Sequence, residues 1–257
     1  MARRPQSEQF LGAIEHLPAI CLGLMLFCLA SCQTQPEQRV AELHASRDLP
    51  RAAAVANAIR YEILPERSDI RFLVYRAGAL ARLGHNHVVQ AKGIRGEIFL
   101  APDVRQSQFS ISLPVNAFQV DAEAARMEEG GEFRPMPDAE AIAGTTRNML
   151  GEQVLDAANY PTVEISSVAS TGPDWGLDVT ARIRMHGVER EILIPAAIEY
   201  QRDTLVVTAM FSVKQSDFGI VPMRVLGGAL QVDDLVRVRM RVVAGKRELQ
   251  PMPSATD

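Results

Sequence analysis

Cysteine is almost missing from this 257-residue chain: Cys21, Cys28 and Cys32 are the only three, and none follows position 32. A disulfide framework, a thiolate metal cluster and a cysteine nucleophile are therefore excluded from everything beyond that point. A basic excess is also missing. Lys and Arg number 27 against 31 Asp and Glu, for a net charge of -4, so the chain lacks the electrostatic footprint of a nucleic-acid binder. No nucleophile elbow, metalloprotease His-Glu pair, phosphate loop or dinucleotide fingerprint occurs, and no catalytic residue or cofactor is assigned. The hydrophobic fraction of 47% is near the globular average, which excludes a wholly disordered or collagen-like chain. The length suits one large domain or two small ones.

No apolar run is long enough to be a comfortable membrane span either. Residues 17–31 are uncharged and broken only by Pro18, but they fall short of the roughly 20 residues a spanning helix needs. The run fits the core of a secretory signal, with Arg3 and Arg4 as its basic start and Glu8 and Glu15 offsetting them. It ends in Leu29-Ala30-Ser31-Cys32. This resembles the lipobox of bacterial lipoproteins, which implies cleavage after Ser31 and lipidation of Cys32. Several acyl chains on one residue give lasting attachment where a single chain is marginal. Gln33 in place of Asp implies, by the same resemblance, the periplasmic side of the outer membrane. The expected organisation is a signal peptide over 1–31, a lipidated N-terminus and tether over 32–65, a β-domain over 66–245, and a frayed tail over 246–257.

What the chain does have is two-residue alternation. Ile70, Phe72 and Val74 alternate with Arg71 and Leu73; Ile94, Gly96, Ile98 and Leu100 alternate with Arg95, Glu97 and Phe99. The pattern repeats at 109–113, 177–183 and 236–242, with further strands expected near 162–168, 190–200 and 204–214. Turn signals such as Gly172-Pro173-Asp174 and Gly227-Gly228 separate them. About eight strands at this spacing predict an all-β antiparallel barrel or sandwich. The segment 121–148, rich in Glu, Ala, Gly and Met, interrupts the pattern. It reads as a long connection with helical pieces at its ends and a short helix over 144–158. Two roles stand open for it: a lid over the barrel mouth, or a surface excursion.

Three stretches carry a family resemblance. Residues Asn148 to Asp156 lead into Asn159-Tyr160-Pro161-Thr162-Val163-Glu164-Ile165; Ile183 to Arg190 contains His186-Gly187-Val188; and Ser216-Asp217-Phe218-Gly219-Ile220 precedes a closing strand through Val236 and Val238. In order and spacing they resemble YceI-like proteins over about residues 66–245. The resemblance implies a lipocalin-like antiparallel barrel of about eight strands that binds an isoprenoid or quinone-type lipid in the periplasm, with no catalysis. The chain departs from the family pattern at Glu189-Arg190, at 121–148 and at Gly84-His85-Asn86-His87.

A polyprenyl chain offers only apolar surface, worth about 25 cal/mol per Å² on leaving water, and needs an apolar tunnel. The candidate lining residues are Phe72, Val74, Phe99 and Phe109, together with Ile111, Phe211 and Phe218. Each has filling of the core as its alternative role. Met127, Met136 and Met149 stand either as adaptable contacts or as packing filler. Among polar residues, His85 and His87 are two apart, and on a strand their rings would share a side. They are candidates for a head-group contact, for a metal site completed by His186 or a carboxylate, or for a plain turn leading into a strand. Glu128-Glu129 and the arginines at 237, 239 and 241 read as solvated faces. Three readings of function follow: an isoprenoid binder with the membrane as its partner, a metal- or haem-linked redox accessory using His85 and His87, and a structural envelope stress protein with a filled barrel.

Overall fold

The computed structural model describes residues 57–247. The signal sequence, Cys32, most of the expected tether and the tail from 248 lie outside them. In chain order the strands are β1 (Ile59–Ile63), β2 (Asp69–Val74), β3 (Arg76–Ala77), β4 (His87–Gln90), β5 (Arg95–Leu100), β6 (Gln108–Pro114) and β7 (Gln119–Val120). Two helices follow, α1 (Glu123–Met127) and α2 (Ala139–Leu150). The second half is β8 (Thr162–Thr171), β9 (Gly176–Met185), β10 (Val188–Gln201), β11 (Thr204–Lys214), β12 (Arg224–Val225), β13 (Leu230–Val232) and β14 (Leu235–Lys246).

Strands β1-β5-β6-β8-β9-β10-β11-β14 form a closed antiparallel barrel, because β1 pairs with both β5 and β14. The closing strand β1 lies in the stretch expected to be tether. Its alternation is only five residues long and is preceded by alanines, so it carried little signal. Strands β2, β4 and β7 continue the sheet beyond the other half of β14. Closure requires a tight approach at Gly96. Its φ is +152°, and a Cβ there would lie 2.1 Å from the Ser110 carbonyl oxygen across the β5–β6 ladder, so only glycine fits. The β9–β10 hairpin turns on His186-Gly187, with φ of 51° and 73°. Positive φ at both central residues is the turn that matches strand twist.

Alternation places Val236, Val238, Val242 and Ala244 of β14 inside, in one continuous core with Ile111, Ile165, Ile183 and Ile194. Strand β2 departs from the simple in-out reading. Phe72 and Val74 face the barrel, but Leu73 is also buried, in a second cluster with Val88, Ala125 and Phe133 on the outside of the sheet. The first half of the long connection makes that cluster, by laying α1 and Phe133 against β2 and β4. Of the pair expected to form a solvated face, Glu128 is exposed but Glu129 is buried. Arg71 lies buried against Asp69 at 2.7 Å, Glu128 at 2.5 Å and Glu129 at 3.1 Å, and Arg239 meets Glu129 at 2.7 Å. Arg237 stacks over the Tyr75 ring at 5.0 Å. Arg241 donates to the Arg67 carbonyl at 3.0 Å, so all three β14 arginines serve contacts that no local pattern could reveal.

The second half of the connection is the single long helix α2, starting five residues before the expected helix and ending at Leu150. Asp138 caps it, its carboxylate accepting from the Ala141 N–H at 2.8 Å. Ile142, Met149 and Leu150 pack on the barrel core, so α2 covers the barrel end. The connection is therefore a lid in its second half and an outer buttress in its first.

Candidate functional site

Under α2 lies a cavity of about 200 Å³. The barrel contributes Phe72, Val74, Val163, Val213 and Val236 to its wall, and α2 contributes Thr145, Asn148 and Met149. Met185 and Met223 complete an adaptable rim. A second void of about 50 Å³ lies deeper, against Phe109, Ile111 and Phe211. Alternation explains this placement: each of these strands turns the named residues to one face, the other face being polar except on β2, where Leu73 is buried too.

Five of the seven candidate lining residues thus border a cavity, Phe72 and Val74 the upper one, Phe109, Ile111 and Phe211 the lower. Phe99 does not. It stands on the opposite face of β5 from Ile98, which is buried in the core, as the alternation of Ile98 with Arg95, Glu97 and Phe99 already implies, so its place among the lining candidates is corrected. Phe218 is fully buried and belongs to the core rather than to a wall. Its segment is held by Ser216, whose N–H and Oγ–H both donate to Asp234, at 2.8 and 2.6 Å. Of the three methionines singled out, Met149 lines the cavity while Met127 and Met136 are exposed.

The polar side chains of the wall are His87, Thr145, Asn148 and Gln215, and His87 is the one tied to a buried carboxylate. His87 opens β4 and faces inward opposite Val74. Its Nδ1 donates to Asp121 Oδ2 at 2.6 Å. Asp121 is 1% exposed, and it also accepts from the Val88 N–H at 2.9 Å and from Arg126 Nη1. Burial pushes the Asp121 carboxyl up, but the His87 hydrogen bond, the Val88 N–H and Arg126 outweigh it and hold it below the usual carboxylate range. Arg126, itself buried, ties this pair to the Asn86 and Pro135 carbonyl oxygens at 2.8 Å each. Asp121 sits at φ 55°, an unusual conformation for a non-glycine residue and one that such a network can sustain. The sequence reading missed Asp121 and Arg126. Both lie beyond β4 in the chain, and only the β4–β7 pairing brings them to His87.

His85 and His87 do not form a matched pair. His85 precedes β4, and the rings stand 6.4 Å apart at their centroids, edge to face. Asn86 between them is a structural staple, accepting from the Arg76 N–H at 3.1 Å and donating to the Glu132 carbonyl at 3.3 Å. His186 is taken up by the hairpin turn, with Nδ1 donating to the Phe218 carbonyl at 3.2 Å. Among the described residues no three His, Cys, Asp or Glu side chains are grouped as a metal site needs, and no helix is long and apolar enough to cross a membrane.

With this geometry in view, comparisons place the chain. BcnA of Burkholderia cenocepacia has a similar fold, with a TM-score of 0.54 at 14% identity over 70% of this chain and 98% of that one. A polyisoprenoid binding domain from Saccharophagus degradans, implicated in plant cell wall breakdown, gives 0.51 at 13% identity over 74% and 99%. At these identities the likeness is one of fold, a lipocalin-type barrel. Among curated proteins none matches the sequence. The YceI-like domain model matches residues 61–244, from the closing strand β1 to the end of β14, and the chain belongs to that family.

Proposed function

We propose that this chain is a non-enzymatic binding protein that sequesters or ferries an isoprenoid lipid or quinone-type ligand in the bacterial cell envelope, anchored by a lipid on Cys32. The observation that carries this reading is the cavity between α2 and the barrel interior: it is walled by valine, phenylalanine and methionine and offers few polar atoms. Family membership and the polyisoprenoid-binding relative support the ligand class. At about 200 Å³ the cavity is smaller than the roughly 300–1,000 Å³ of ordinary ligand pockets. A long chain is accommodated by rotamer changes of the rim methionines and by merging with the lower void.

The test is to isolate the full chain from its native membranes and extract it for lipid mass spectrometry. A stoichiometric isoprenoid is expected, and its loss is expected in a Phe72→Trp variant that fills the cavity. A ligand-free barrel, or a non-isoprenoid ligand, overturns the reading. Anchoring is tested separately with Cys32→Ala, which should move the protein from the membrane pellet to the soluble fraction.

A further inference from the structure

We propose that the cavity selects an isoprenoid whose polar end carries a hydroxyl group, such as a polyprenyl alcohol or a quinol, and that His87 Nε2 receives that hydroxyl. This rests on the isoprenoid reading and sharpens it to a head-group class. Asp121 fixes the tautomer of His87. Its carboxylate can only accept, so the His87 Nδ1 facing it holds the proton. In the neutral ring this leaves the lone pair on Nε2, the ring nitrogen that makes no hydrogen bond to any described residue. His87 lines the cavity, so Asp121 fixes an acceptor in its wall.

The other polar side chains of the wall are Thr145, Asn148 and Gln215, which can all accept as well as donate. The Asn148 side-chain NH₂ is directed to Met223 Sδ at 3.7 Å, and that of Gln215 donates to the Asp233 carbonyl at 2.7 Å. Each amide thereby keeps its carbonyl oxygen uncommitted. His87 Nε2 is the wall group whose role is fixed by a buried partner, and a fixed acceptor fits a ligand that donates. No Lys or Arg lines the cavity; Arg126 behind His87 is already paired with Asp121, and Arg76, beside the adjoining pocket, donates to the Gly84 carbonyl. A diphosphate placed there would be a buried charge without a partner, which is strongly disfavoured. At Nε2 a ketone would set a lone pair against a lone pair. Asp121 is here a positioning residue, and its effect passes through the imidazole.

The experiment measures binding of four probes to the full chain: farnesol, farnesyl methyl ether, farnesylacetone and farnesyl diphosphate. Farnesol is expected to bind at least about tenfold tighter than the ether, the scale of one unsatisfied buried hydrogen-bonding group. The ketone and the diphosphate should both rank below farnesol. In His87→Phe the ether should keep its affinity while the farnesol advantage disappears, which separates loss of an acceptor from loss of the fold. Asp121→Asn turns an amide donor toward Nδ1 and moves the ring proton to Nε2, so farnesylacetone should gain affinity in that variant. Equal binding of farnesol and its ether, or preference for the ketone or diphosphate by the unaltered chain, overturns the head-group assignment while leaving an isoprenoid binder standing. Failure of all four to bind overturns both.

Discussion

At the scale of single residues, Asp121 does the most for its size. It is buried, charged and in a left-handed conformation, and three partners converge on it. Breaking such a pair leaves Arg126 as an uncompensated buried cation. Asp121→Ala should therefore lower unfolding stability by about 3–5 kcal/mol, read from urea denaturation. The pH dependence has a definite sign. The folded carboxyl is held below its ordinary value, so between the two values the unfolded chain binds the extra proton. The stabilisation is complete above the unfolded value near pH 4 and is lost as pH falls through the folded value. The urea midpoint of the unaltered protein should drop more steeply between pH 5 and 3 than that of Asp121→Asn. A parallel drop in both would remove Asp121 from the account of acid sensitivity.

At the scale of elements, what was legible in the sequence divides by the range of the cause. The strands β9, β11 and β14 follow from alternation because one face of each meets the core and the other meets water or polar side chains. Strand β2 was legible as a strand but not as a doubly buried one, since Leu73 and Arg71 are covered by residues more than fifty positions away. The cavity wall was partly legible for the same reason. Alternation gives which residues share a face, and it set Phe99 with Arg95 and Glu97, away from Ile98; aromatic character alone made it a lining candidate. The Asp121–His87 contact was not legible at all, because it depends on the pairing of two very short strands. Helix α2 was expected over 144–158, and neither its start at the Asp138 cap nor its position over the cavity was read from the sequence. That cap gives a prediction. Asp138→Ala removes the acceptor for the Ala141 N–H and should destabilise α2 by about 1 kcal/mol. The helix is packed on one side only, so the loss should show as local opening. Amide exchange over 139–150 should quicken roughly fivefold, with the barrel strands unchanged. Exchange that quickens equally in β8 and β9 would mean the lid and barrel open as one unit.

At the scale of the whole molecule, the barrel is not uniformly sealed. Strands β10 and β11 pair only from Ala196/Ala209 to Gln201/Thr204. Above that level β10 continues to pair with β9, and β11 with β14, but not with each other. The ladder stops next to Pro195, which has no N–H to contribute. This unpaired seam runs toward Gln215 and Val213, which line the cavity under α2. The opposite end, where β1 closes against β5 and β14, is fully laddered. One end of the molecule is thus built to hold shape, and the other can yield to a guest. A ligand that fills the cavity binds the folded chain alone, so at a hundred times its dissociation constant it should add about 2.7 kcal/mol. For a domain of this size that raises the melting temperature by on the order of 5–10 °C. The gain should be distributed unevenly: with farnesol bound, amides of 188–195, 210–215 and α2 should exchange more slowly, while those of β1 and β5 stay as they were. Uniform slowing around the barrel would locate the guest's effect in global stability and would leave the seam without a part in admitting it.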